Sequence, residues 1–192
     1  MTRPPAEIIF MTEEPSMAVL LEHLLPSIIP AEVHHRIIRH QGKQDLQASI
    51  PRKLRAWNKS AHFVIVHDQD SHDCLQLKAH LLALCQQSGR ADSLVRIVCH
   101  ELESWFLGDL HALELAYQEK GLAKLQSRKK YWQPDRLANA KQELRKLIPA
   151  YQPAIGSRAI APHLSLDNDH NRSHSFHVFL RGIRCLVDEV QL

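Results

Sequence analysis

The chain lacks the long apolar run that a membrane-spanning helix requires. No stretch of its 192 residues approaches the ~20 apolar residues that cross a bilayer. A secretion signal is not expected either. Met1-Thr2-Arg3-Pro4-Pro5 leads directly into a short apolar stretch, Ile8-Ile9-Phe10-Met11, that ends in charge. A signal needs a longer apolar region and a small-residue cleavage site, so this stretch reads as a first strand, and a cytoplasmic protein is expected. None of the four cysteines forms a C-x-x-C pair. Cys74 and Cys85 fall in a helical pattern, Cys99 in a strand and Cys185 in the last helix, which indicates neither a disulfide framework nor a zinc knuckle. Strong charge of one sign is absent as well: the formal net charge is +3, which does not by itself imply nucleic acid. Its distribution says more, because acidic residues gather at strand ends while basic ones fall in short runs elsewhere. No internal repeat or low-complexity linker divides the chain. Its length suits one domain with a real core, residues 1–192, and is short for two.

Four segments, residues 7–11, 33–40, 62–67 and 94–99, are rich in Ile, Val and Phe and bounded by turn or polar residues, as strands are. The unbroken Phe63-Val64-Ile65-Val66 predicts a strand buried on both faces, as in a parallel sheet. Helical spacing lies between them. Met17, Leu20, Leu21, Leu24 and Ile28 form one apolar face with Ser16 as N-cap. Leu46, Ile50, Leu54 and Trp57 mark a second, which Pro51 is expected to restart. Cys74, Leu77, Leu81, Leu82 and Cys85 mark a third, closed by Gly89. The alternation predicts an α/β three-layer sandwich with a mainly parallel sheet of about four strands. From Glu101 the chain reads helical, with a basic loop over 124–135 and a polar loop over 161–175. Residues 1–109 are thus read as an α/β core and 110–192 as a helical cap.

Ligands of a parallel α/β sheet bind beyond the C-terminal ends of its strands. Three of the four strands end there in carboxylates: Glu13-Glu14, Asp68-Gln69-Asp70 and Glu101-Leu102-Glu103. Residues i and i+2 of an extended chain point the same way, so Asp68 and Asp70 can face one point. Converging carboxylates repel and raise one another's pKa, and a divalent cation relieves this. Hard oxygen ligands of this kind suit Mg2+ or Mn2+. A plainer reading of each residue stands beside this one. Strands commonly end in acidic turn residues, Asp70 or Ser71 can N-cap the next helix, and Asp73 can serve as a first-turn dipole partner.

The ordered set Ile8-Ile9-Phe10-Met11-Thr12-Glu13, then Val64-Ile65-Val66-His67-Asp68-Gln69-Asp70, resembles the Toprim signature, a Glu after the first strand and a D-x-D after a later one. Toprim domains occur in topoisomerases, primases and nucleases of the overcoming-lysogenization-defect family. The stretch Glu101-Leu102-Glu103-Ser104-Trp105-Phe106-Leu107-Gly108-Asp109 is similar to the E-x-E-x-W-x-L-x-D motif of the bacterial domain-of-unknown-function family numbered 4276. Asn171-Arg172-Ser173 with Ser175-Phe176 resembles that family's C-terminal motif. The resemblance implies a Toprim-like sheet and phosphodiester chemistry. Asp68 and Asp70 would hold magnesium, Glu13 would act as general acid, base or bridging ligand, and Glu101 or Glu103 would serve a second ion or orient the others. Where many Toprim proteins have Gly after the first Glu and a second Glu four residues on, this chain has Glu14 and Met17, so Glu13 and Glu14 are both catalytic candidates. The family further implies an operon-encoded ATPase as partner and a setting in phage defence.

A nuclease needs cations to hold its strand. Lys43, Arg52, Lys53 and Arg55 form one set, Arg128-Lys129-Lys130 another, and Arg158 and Arg172 are placed in loops near Ser157 and Ser173 as phosphate forks. Each set is equally a solvated surface. Tyr117, Tyr131 and Tyr151 lie in the helical half, so hydrolysis by water is expected rather than a covalent tyrosine intermediate. By strand alternation His67 is expected to point away from the carboxylates. Trp105 and Trp132 can stack on bases or pack in a core. The reading is therefore a Mg-dependent Toprim-type nuclease or nuclease subunit. Its alternative is an inactive Toprim-like module that binds nucleic acid or a partner ATPase.

Overall fold

In the computed structural model, which describes residues 7–167 and 170–191, four strands form one parallel sheet. They are β1 (Glu7–Thr12), β2 (His35–Arg39), β3 (Ala61–Asp68) and β4 (Leu94–Val98), in the order β2-β1-β3-β4. The two central strands are the most continuously apolar, and register pairs Phe10 with Val64 and Met11 with Ile65. β2 and β4 close the edges, with Met11 opposite Ile38 and Asp68 opposite Val98. The parallel sheet and its α/β class are as the sequence predicts.

Alternation along the central strands feeds two cores. Ile9, Met11, Phe63 and Ile65 face α2 (Lys43–Ala56) and α3 (Cys74–Gln87), where Leu46, Ile50, Leu54, Leu77, Leu81 and Cys85 meet them. Ile8, Phe10, Val64 and Val66 face the other way, against Met17, Leu20, Leu21 and Leu24 of α1 (Pro15–Leu24). That second core continues into the later helices: α4 (Glu103–Leu107), α5 (Leu110–Tyr117), α6 (Leu122–Leu125), α7 (Ala140–Leu147), α8 (Pro153–Ile160) and α9 (His174–Gln191). The helical half therefore forms the third layer, with Trp105 fully buried between Phe176 and Phe179, each ring 5.1 Å away. Among the described residues no helix is long and apolar enough to cross a membrane.

Local chemistry moves several boundaries. α1 starts at Pro15, because proline's fixed φ suits a first helical position; Glu14 sits at the extended cap position and accepts a hydrogen bond from the Ser16 hydroxyl at 3.2 Å. Ser16 is therefore inside the helix and not its cap. α1 stops at Leu24 and a 3-10 turn carrying Pro26 follows, so Ile28 lies beyond it. α2 runs unbroken through Pro51, since buried Leu46, Ser49, Ile50 and Leu54 hold it on both sides of the proline. Asp73, and neither Asp70 nor Ser71, caps α3 by accepting the Gln76 N–H at 2.8 Å. Arg158 lies in α8 and not in a loop.

Candidate functional site

The carboxylates gather where β1, β3 and the turn after β4 come together. Glu13 leaves β1 on the same side as Ile9 and Met11, is buried, and reaches across the end of β3. Its Oε2 accepts the Asp68 backbone N–H at 3.2 Å and lies 2.8 Å from His67 Nδ1. Asp68 points to the opposite face, where its Oδ2 accepts the Leu102 N–H at 3.3 Å. Burial, and then the charges of Glu13, Glu14 and Glu103, hold the Asp68 carboxyl well above the ordinary aspartate range.

Glu103 is the deepest of the group. Its Oε1 accepts the Tyr151 hydroxyl at 2.9 Å, and Lys141 Nζ lies 3.7 Å away. Burial pushes its carboxyl up despite the opposing pull of Lys141 and Tyr151. Burial and the neighbouring Glu103 push the Tyr151 phenol up, so it stays protonated and acts as a donor. Lys141, near the start of α7, is the cation of the cluster. Burial would lower its pKa, but Glu103, Glu14, Glu101 and Asp68 together raise it. Glu101 Oε2 accepts the backbone N–H of Lys141 at 2.9 Å, which ties the turn after β4 to the start of α7.

Asp70 does not follow Asp68 inward. β3 ends at Asp68, and Asp70 adopts a left-handed conformation (φ 50) with its N–H on the His100 carbonyl at 2.8 Å. Its carboxylate pairs instead with Lys43 Nζ at 3.3 Å on the rim. His100 is left-handed as well (φ 57), and the two flank a cavity of about 240 Å³ that Glu101 and Ala138 also line.

His67 corrects an expectation. Alternation does send it away from Asp68, but Glu13 lies on that same face, so the buried imidazole meets Glu13. Its Nδ1 also lies 2.6 Å from the Asp68 carbonyl, and its Nε2 lies 3.1 Å from Gln47 Nε2. Burial alone would lower its pKa; the hydrogen bond and charge of Glu13, with Asp68 and Asp70, outweigh that and raise it.

Of the predicted cations, Lys43 alone pairs with a strand-end carboxylate. Arg52 and Lys53 lie roughly 13–15 Å further along α2, which runs away from this edge. Arg158 is exposed on α8, and Arg172 donates to the Gln126 carbonyl at 2.6 Å.

The two later motifs are a clamp. Asn171 Nδ2 donates to the Trp105 carbonyl at 3.0 Å, Trp105 Nε1 donates to Ser175 Oγ at 2.9 Å, and Arg172 N–H donates to the Gly108 carbonyl at 2.8 Å. A Cβ at Gly108 would stand 2.1 Å from Asn171 Oδ1, so only glycine allows this approach. Asp135 accepts Ser173 Oγ at 2.6 Å and Ser175 N–H at 2.7 Å, and Asp109 caps α5 through Ala112 N–H at 3.0 Å. These contacts hold α4, α5 and α9 together.

Chemically, Glu13, Glu14, Asp68 and Glu103 form a surplus of oxygen donors balanced by one lysine. Among the described residues no group of three or more His, Cys, Asp or Glu side chains is disposed to enclose a metal ion. The donors still fit magnesium, which keeps several waters and binds through one or two carboxylates. His67, Lys141 and Tyr151 are contributions that strand-end reasoning does not reach.

The chain matches, over residues 12–184, the family model described as a domain of unknown function, DUF4276, and it belongs to that family. No curated protein matches it. Among solved structures it is similar to the C-terminal region of the Xanthomonas campestris pv. campestris OLD protein. The form phased with iodine gives a TM-score of 0.53 at 14% identity, covering 95% of this chain and 96% of that one. The form phased with mercury gives 0.52 at 14% identity, covering 97% and 98%. At that identity the likeness speaks for the fold.

Proposed function

We propose that this DUF4276 protein is a Toprim-like, Mg2+- or Mn2+-dependent nuclease or nuclease subunit that hydrolyses phosphodiester bonds. The observation that carries the reading is the Asp68 carboxyl, pushed well above its ordinary range by burial and by Glu13, Glu14 and Glu103 at the C-terminal edge of a parallel sheet. Structural ion networks normally relieve such a group; this one stays crowded. Asp68 would hold the ion, with Glu14 and Glu103 beside it, Glu13 reaching the strand end from the opposite face and Asp70 and Glu101 at the rim. When bound, the ion neutralises phosphate charge and lowers the pKa of a water.

The chain's own residues do the rest. Hydrogen bonds from His67 and the Asp68 N–H fix the orientation of Glu13, the candidate for moving a proton. Lys141 places a positive charge where negative charge develops on a phosphate. Tyr151 keeps Glu103 in place and is itself buried with its hydroxyl given to Glu103, in keeping with attack by water. The fold likeness to the C-terminal region of a longer protein supports a partner supplied separately, an ATPase in a phage-defence setting by the family resemblance.

A second reading, an inactive module that binds nucleic acid or such an ATPase, draws support from the pairing of Asp70 with Lys43 instead of with Asp68. Incubation of the protein with plasmid and with single-stranded DNA and RNA, in magnesium or manganese, separates the two. Cleavage that Asp68→Asn reduces to background supports the nuclease; intact substrate under all these conditions, partner included, supports the module.

A further inference from the structure

Trp132 is 55% exposed, whereas Trp105 is fully buried. A large aromatic ring in water is uncommon. Its indole N–H donates to the Ser127 carbonyl at 3.0 Å, which pins the ring and uses its only polar atom. What remains is an aromatic face in a shallow cavity of about 450 Å³ lined by Ser127, Trp132 and Arg172. Arg172 is exposed and held at the cavity wall by its bond to the Gln126 carbonyl. Arg128 and Lys129, both exposed, lie on the turn between Ser127 and Trp132.

The chain leaving Trp132 leads to the carboxylates. Asp135 is fastened to Ser173 and Ser175, Ala138 lines the cavity beside Asp70 and Glu101, and Lys141 stands among the acids. From this placement we infer that Trp132 and Arg172 form a docking step for single-stranded nucleic acid, the indole stacking on an unpaired base and Arg172 taking a phosphate, with the strand continuing toward the carboxylate edge. The inference rests on the phosphodiester reading above.

Stacking on a ring without a free polar atom tolerates any base, as in other single-strand binders. A duplex offers no free base face, which selects the single strand. A protein partner would call for an apolar surround, since interface anchors sit in desolvated pockets. No other exposed large apolar side chain lines this cavity among the described residues.

The test is binding of the full chain to a short oligo-dT strand in EDTA, read by fluorescence anisotropy and by tryptophan emission. EDTA keeps hydrolysis silent, so the result stands whether or not the protein cleaves. Trp132→Ala is expected to weaken binding by about 5- to 150-fold, and Trp132→Phe to retain most of it. Arg172→Gln is expected to reduce the salt slope by about one. A strand of abasic deoxyribose phosphates should bind wild type and Trp132→Ala alike. Equal oligo-dT affinity in wild type and Trp132→Ala, no binding by the wild type, or a preference for polyglutamate over oligo-dT would each overturn the inference.

Discussion

Glu143 and Asp68 are both acids set against the same helical layer, and their surroundings push them in opposite directions. Glu143 is buried on α7 and set among cations: it accepts the Tyr131 hydroxyl at 2.8 Å, pairs closely with Lys130 and lies 3.8 Å from Lys146. Burial would raise its pKa, but these partners outweigh it and hold the carboxyl below its ordinary value. Asp68 is part-exposed as a residue, yet burial of its carboxyl and three neighbouring acids hold it far above. Glu143, which braces the fold, is given cations; Asp68, crowded by its own kind, is where the proposed function would place a cation from outside.

The largest effect that sharpens this contrast concerns the two lysines. Lys141→Gln is expected to lower cleavage by about 10²- to 10³-fold, the scale of losing one preorganised electrostatic group. Lys130→Gln, at Glu143, should leave cleavage within about two-fold of wild type once the protein is folded, because it touches no acid of the cluster. Equal losses in a cleavage assay would break the distinction.

Stability should move oppositely at the two acids. Glu143→Gln is expected to cost about 1–3 kcal/mol, because it weakens a charged hydrogen-bond set inside the protein. Asp68→Asn in EDTA is expected to leave stability unchanged or raise it, by up to about 1 kcal/mol, by relieving repulsion. Denaturant melts of both variants measure this, and the same sign for both would contradict it.

The pH dependence follows with its own signs. The folded pKa of Asp68 lies above the unfolded value, so between the two the folded state keeps a proton that the unfolded state has lost. Stability in EDTA therefore falls as pH rises from about 4 through the folded pKa. Glu143 is depressed, so its contribution is complete above an unfolded value of about 4.3 and is lost as pH falls through the folded one. Asp68→Asn should flatten the loss on the rising side, and Glu143→Gln the loss on the acid side. A variant that leaves its own limb unaltered refutes the assignment of that limb.

The smallest effect belongs to the rim. Lys43 and Asp70 form an exposed pair, and Lys43→Gln is expected to change stability by less than about 1 kcal/mol. A larger change in thermal melts would mean that Asp70 belongs with the buried acids after all.

Much of the sheet and part of the site were legible in the chain. Phe63-Val64-Ile65-Val66 announces a strand buried on both faces, and acids following three strands announce an edge at which the Glu13 carboxylate reaches the Asp68 backbone. The remainder depends on contacts that period alone does not contain. Alternation within β3 places His67 opposite Asp68, but Glu13, one strand over, shares the parity of His67. Asp70 escapes the two-residue rule because β3 ends before it and the chain turns left-handed. Lys141 and Tyr151 arrive from later helical regions and are brought to the acids by contacts distant in sequence, Tyr151 with Glu103 and Lys141 with Glu101. The E-x-E-x-W-x-L-x-D motif mixes both kinds of residue: Glu103 stands at the acids while Trp105, Gly108 and Asp109 hold helices together.

The central claim, that the crowding at Asp68 is relieved by a divalent cation, is tested most directly by thermal melts of wild type and Asp68→Asn in EDTA and in magnesium. A ligand that binds only the folded state stabilises by about 2.7 kcal/mol at 100 times its Kd. The account predicts a magnesium-dependent rise for wild type and a clearly smaller one for Asp68→Asn, whose amide keeps the shape but removes the charge. Identical responses to magnesium in the two proteins would contradict it.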